Sequence, residues 1–130
     1  MSFELEAARQ QLSQRLSHWQ GQIDEVLGKG VHLEVDPIGL PKDALKLEQF
    51  TFTALGALRD ALSDAALRNP KFAEYFRSRV SKVLVRNDDT AATSRFDFDV
   101  SRRLLVVITT PGLKHWLDFL ALQEFLQREL

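Results

Sequence analysis

The side chains with the clearest chemical potential in this sequence are aspartates between residues 88 and 99. Asp97 and Asp99 lie two positions apart in an alternating segment, so they share one face of the β-strand that this alternation predicts. Two carboxylates on one face can bind Mg²⁺, or one of them can serve as a general base. With Asp88 or Asp89 from the preceding loop, they would form a metal-assisted hydrolytic site.

The opposite face of that strand favours a simpler interpretation. Phe96 and Phe98 alternate with the two aspartates, which is typical of a strand that has one core face and one solvated face. The loop at 87–94 lacks the ligand spacing of a Ca²⁺ loop, and the sequence points to no third ligand. We therefore expect no metal and no cofactor, and metal-assisted hydrolysis is the weakest of three functional hypotheses.

Other catalytic signatures are missing from the sequence. His18, His32 and His115 fall on three different predicted elements, and we expect each of them at the surface. The chain has no cysteine, which excludes disulfides, thiolate metal sites and cysteine nucleophiles. It also has no G-x-S-x-G elbow, no glycine-rich phosphate loop and no H-E-x-x-H sequence. The question of enzymatic activity stays open, and these observations favour a protein without it.

Positive charge is concentrated in one segment of a chain whose net charge is −1. Residues 68–103 hold nine Lys and Arg against five Asp and Glu. Four of these cations could line a phosphate-binding surface, namely Arg77, Arg79, Lys82 and Arg86. A nucleic-acid-binding domain is therefore the second hypothesis. It calls for exposed aromatic side chains as well, whereas the phenylalanines near 97 alternate with charges and are expected in the core.

The elements that position these residues follow from hydrophobic periodicity. Apolar residues three and four apart predict a long helix over residues 3–27, and the glycines that follow are typical of a helix end. Residues 45–52 fit either a strand or a helix, and their Phe and Thr content favours a strand. The remaining pattern predicts a strand at 31–35, helices from 54 and from 70, strands near 83–85, 95–100 and 104–108, and a last helix from 110. The chain is thus expected to be one α+β domain over 1–130, with an antiparallel sheet of three to five strands flanked by the long N-terminal helix, two middle helices and a C-terminal helix.

The sheet and the last helix predict a specific core. Alternation places one set of strand residues on the face that meets this helix: Phe96, Phe98, Val100, Leu105 and Val107. The helix should cover them with its first apolar stripe, formed by Leu113, Trp116, Leu117 and Leu120. The opposite face would carry Leu104, Val106 and Ile108, and we expect either the first helix or the helix at 55–65 to cover it.

A second apolar stripe on the last helix gives the leading functional hypothesis. It is rotated by over 100° from the first stripe and consists of Phe119, Leu122, Phe125, Leu126 and Leu130. An apolar patch of that size rarely stays uncovered on a soluble monomer, so either the first helix or a second chain should meet it. We expect a non-catalytic protein-binding module, an adaptor or chaperone-like protein, that acts as a homodimer. The N-terminus has no signal-peptide pattern and no segment reaches the ~20 apolar residues of a membrane span, so a cytoplasmic location is expected.

Overall fold

The computed structural model describes residues 3–37, 40–88, 95–109 and 124–128. These residues form an α+β structure with a four-stranded sheet. The helices are α1 (Phe3–Leu27), α2 (Ala44–Phe50), α3 (Gly56–Arg68) and α4 (Phe72–Arg79). A π-helical segment, Thr51–Leu55, joins α2 to α3, and residues 124–128 are also helical. The strands are β1 (His32–Val35), β2 (Lys82–Asn87), β3 (Arg95–Asp99) and β4 (Leu104–Thr109).

The sheet is mixed, so the prediction of a purely antiparallel sheet was wrong. Its strand order is β1-β2-β4-β3, with β1, β2 and β4 parallel and only β3 antiparallel, next to β4. The chain leaves β1 through α2, α3 and α4 before it enters β2, and such a helical crossover returns it to the same end of the sheet. The chain then passes to the edge as β3 and turns back as β4, which lies between β3 and β2.

Residues 45–52, for which the pattern favoured a strand, are helical. Asp43 caps α2, because its carboxylate accepts hydrogen bonds from the backbone N–H groups of Leu45 and Lys46, as an N-cap side chain does. The buried residues of α2, Leu47 and Phe50, are three apart, while Leu45 is 63% exposed. Leu45 and Leu47, which seemed to alternate as in a strand, therefore occupy one exposed and one buried position of a helix.

The core lies on one side of the sheet. The strands contribute alternate residues to it, and the helices contribute side chains that pack against them in a single cluster. Phe76 and Leu62 are fully buried at its centre, and the C-terminal residues Phe125 and Leu126 belong to the same cluster. The strand residues in this cluster are Leu33, Val83, Val85, Leu105 and Val107, with Phe96 and Phe98 partly buried against it.

Two parts of the predicted core were wrong. Val100 is 68% exposed, because β3 ends one residue earlier, at Asp99. The Asp99 carboxylate accepts hydrogen bonds from the N–H groups of Ser101 and Arg102, and the chain turns away from the sheet there. Leu104, Val106 and Ile108 are not covered by α1 or α3, since both helices pack on the opposite face of the sheet. The predicted helical stripe Leu113, Trp116, Leu117 and Leu120 lies outside the described residues.

One side chain joins the long helix α1 to the edge of the sheet. The Gln20 amide nitrogen donates to the Val31 carbonyl at 2.8 Å, and its oxygen accepts from the Leu33 N–H at 2.7 Å. These are the two bonds that a peptide unit of a neighbouring strand would make with β1.

No helix within the described parts of the chain is long and apolar enough to cross a bilayer.

Candidate functional site

Among the described residues, the face of the sheet that points away from the helices offers a candidate surface. We call it the open face. Its centre consists of four aliphatic side chains on the two middle strands: Leu84, Leu104, Val106 and Ile108. All four are half-buried, and none of them belongs to the hydrophobic core cluster or to the residues packed against it. Among the described residues, the helices pack their buried side chains on the other face of the sheet.

The strand register makes this apolar centre continuous. Leu84 is paired with Val106, and Lys82 and Arg86 are paired with Leu104 and Ile108. The strand β4 has apolar residues on both faces because it is a middle strand of a largely parallel sheet, where such continuous apolar runs are typical. Its odd-numbered residues face the core, and its even-numbered residues form the open face.

Ion pairs border the apolar centre on the β1 side. Lys82 Nζ lies 3.0 Å from a carboxylate oxygen of Glu34, and Arg86 Nε lies 2.9 Å from one of Asp36. The hydrogen bond from Lys82 lowers the pKa of the Glu34 carboxyl, and the positive charge of Lys82 acts in the same direction. The cations on this border are thus neutralised by carboxylates of the same chain.

A second charged border lies along β3 and its turns. Arg95 Nη2 is 3.1 Å from Asp88, and Arg102 Nε is 3.6 Å from Asp99. The Ser101 hydroxyl donates to the Asp99 carboxylate at 2.8 Å. This bond, the N–H of Arg102 and the charge of Arg102 lower the pKa of Asp99. Most charges around the open face are therefore already balanced.

An apolar centre with a charged border is the arrangement of a protein–protein interface. Four strands about 4.8 Å apart and on average about five residues long at 3.3 Å each give the open face a footprint of roughly 300 Å². A stable interface of standard size buries about 800 Å² on each partner. The open face on this scale fits a weak or transient contact.

The predicted metal-binding residues do not converge with further ligands. Asp97 and Asp99 both lie on the β3 side of the open face, and Asp88 is paired with Arg95. Within the described ranges, no group of three or more His, Cys, Asp or Glu side chains could hold a metal ion. Asp89 and His115 lie outside those ranges, whereas His18 and His32 are exposed.

The four predicted nucleic-acid-binding residues are divided between two sides of the molecule. Lys82 and Arg86 lie on the open face, in the ion pairs described above. Arg77 and Arg79 belong to α4, which packs on the core side of the sheet. The guanidinium of Arg79 lies 5.6 Å from the centre of the Tyr75 ring and 5.7 Å from that of Phe98. The structure thus does not bring the four cations onto one surface.

The predicted partner-binding stripe falls partly within the chain's own core. Phe125 is 6% exposed and Leu126 is 4% exposed, and the Phe125 ring centre lies 5.6 Å from that of Phe96. These two side chains pack inside their own chain, while Phe119, Leu122 and Leu130 lie outside the described residues. The open face was not predicted as a site. The uninterrupted apolar run of β4 did indicate that apolar residues would lie on both faces of the sheet.

Comparisons with known proteins add no relative. No protein-family model matches the chain, and neither the curated proteins nor the solved structures contain a match. The functional argument therefore depends on the geometry of the open face.

Proposed function

We propose that this chain is a protein-binding module, adaptor or chaperone-like, that forms a homodimer through the open face of its sheet. The observation that carries the proposal is the contiguous aliphatic centre of the open face, with four half-buried side chains on β2 and β4 that no residue of the hydrophobic core cluster meets. Covering this centre removes apolar surface from water, which is the main driving force of association.

Charge balance supports a second copy as the partner. In a twofold dimer the same patch meets itself, so any net charge on the patch would face an equal charge. Four ion pairs around the open face each sum to zero: Glu34 with Lys82, Asp36 with Arg86, Asp88 with Arg95, and Asp99 with Arg102. Asp97 adds one carboxylate to the β3 side of each face, so the repulsion between two faces is that of one exposed, screened charge on each. Two twisted sheets pack face to face at about 10 Å.

The footprint sets the expected strength of this dimer. Two faces of roughly 300 Å² bury about 600 Å² in total, which lies below the standard interface of about 1,600 Å². A dissociation constant in the micromolar range or weaker follows, so sedimentation equilibrium should cover concentrations from about 1 µM to about 1 mM. A single monomeric mass over that whole range would exclude the dimer.

A charged substitution in the apolar centre locates the interface. Val106→Glu places a carboxylate at the middle of the open face and should abolish the dimer, because two unpaired charges would be buried at the contact. Leu67→Glu is the matched control, since Leu67 lies on α3 and is 83% exposed. Thermal melts of both variants check that they are folded. Equal dimerisation of the two variants would refute the assignment of the open face.

A further inference from the structure

A cavity lies along the outer edge of β3, on the side of the sheet away from β1. Its volume is about 390 Å³. Three phenylalanines from β3 and from the C-terminal helical residues form an apolar wall: Phe96, Phe98 and Phe125. Two arginines, Arg79 and Arg128, also line the cavity, and Asp97 borders it from the strand.

Arg79 is the residue of this cavity that lacks a counterpart. Its guanidinium is held between the rings of Tyr75 and Phe98, which fixes its position but supplies no hydrogen-bond acceptor. Its Nε atom is buried without a hydrogen-bond partner, and no ion pair or hydrogen bond of its side chain is found among the described residues. A buried charged donor without an acceptor is costly, so such a group calls for a specific explanation.

We propose that this cavity binds an anionic group, a carboxylate or a phosphate, carried on an apolar or aromatic body. The anion accepts hydrogen bonds from the guanidinium of Arg79, whose planar, charged donors match both oxygen groupings. The body of the ligand packs against the phenylalanine wall. The site is separate from the open face, because the phenylalanines of β3 point to the core side of the sheet.

Asp97 gives the proposal an independent check. Asp97 borders the same cavity, and its carboxylate, which points to the other face of β3, repels a bound anion across the strand, so Asp97→Asn should strengthen anion binding by about twofold at low salt. This gain should disappear at high salt, where the charge is screened. A loss of folding cannot produce a gain in affinity, so this variant separates a binding effect from a structural one.

The direct test titrates the full chain with three probes and measures the affinity by isothermal calorimetry or by NMR shifts. Phenyl phosphate and benzoate share an aromatic body and differ in the anion, and inorganic phosphate lacks the body. We expect at least one of the two aromatic anions to bind more tightly than inorganic phosphate does. The stronger of the two identifies the preferred anion.

Substitution of Arg79 then assigns the binding. Arg79→Gln should weaken the stronger probe by at least about tenfold, the effect of losing a charged hydrogen bond, and Arg79→Lys should restore only part of it because the planar donors are lost. Arg102→Gln is the control, since Arg102 is an exposed arginine of the neighbouring turn. Undetectable binding of both aromatic anions at millimolar concentration would overturn the proposal, as would equal weakening by Arg79→Gln and Arg102→Gln.

Discussion

Two adjacent leucines of β4 test the assignment of the core face and the open face. Leu105 is 0% exposed in the core cluster, whereas Leu104 is half-buried on the open face. Both belong to the same strand, and both are paired with residues of β2. Truncation of each leucine to alanine therefore changes the same number of atoms at neighbouring positions of one strand.

The expected costs differ because only one side chain leaves a cavity. Leu105→Ala should lower the free energy of unfolding by about 3 kcal/mol, within the range of roughly 2–5 kcal/mol for buried leucines. Leu104→Ala removes apolar surface that is already partly in water, and its cost should be about 1 kcal/mol. At roughly 4 °C per kcal/mol for a domain of this size, the melting temperatures should fall by roughly 12 °C and 4 °C.

The assay is thermal and urea denaturation of both variants below about 1 µM, where most of the proposed dimer is dissociated. Equal shifts, or a larger shift for Leu104→Ala, would refute the assignment of the two faces. Repeating the melts near millimolar concentration adds a second comparison. Because association stabilises the folded state by mass action, the wild type should gain stability with concentration and Leu104→Ala should gain less.

Three further predictions concern single side chains. Gln20→Ala should lower the free energy of unfolding by about 1 kcal/mol in urea denaturation, because two backbone groups of β1 lose their hydrogen-bond partner; Gln14→Ala, at an exposed position of α1, should change it little. Asp43→Ala should lower the same free energy by about 1 kcal/mol through loss of the α2 cap, and no change would show that the cap is dispensable. Because the pKa of Glu34 is lowered, its bond with Lys82 stabilises the fold fully at pH values above 4.5, the ordinary pKa of a glutamate. This stabilisation is lost as the pH falls through the folded-state pKa. The difference in stability between wild type and Glu34→Gln should therefore be present at about pH 7 and shrink at about pH 3.

Local structure was predictable where a single periodicity dominated. The helix predicted over residues 3–27 is confirmed with its bounds, and the strands of the second half lie close to their predicted positions. Residues 45–52 were misassigned because two leucines two positions apart fit both periods. Asp43, four residues before the buried Leu47, is the N-cap of α2. A capping residue at this position indicates the start of a helix rather than a strand.

Strand pairing was harder to predict because it depends on contacts that no local pattern encodes. The three helices between β1 and β2 were visible in the sequence order, and a helical crossover joins parallel strands. The position of β4 between β2 and β3 follows from burial, since its uninterrupted apolar run suits a middle strand better than the alternating β3 does. The pairing of β3 with β2 would have left that apolar run at an edge.

The candidate site could not be predicted from the apolar residues alone. The residues from Leu104 to Ile108 are apolar on both faces of the sheet, but the sequence does not show which face each helix packs against. In the structure α1, α3 and α4 all pack on one face, so none of these three helices covers the apolar residues of the other face. Most of the charge pairs that border it involve residues far apart in sequence, such as Asp36 and Arg86. Only the tertiary structure brings them together.

The edges of the sheet help to explain why association is assigned to its face. A free edge strand recruits other strands through its unpaired N–H and C=O groups, and natural sheets block this with charges or with a covering group. At the β1 edge, Gln20 already occupies the positions of a neighbouring peptide unit. At the β3 edge, Arg95, Asp97 and Asp99 place a charge at every second residue. Both edges thus resist addition of a strand, and the open face is the part of the sheet where a second copy gains the most from burying apolar surface.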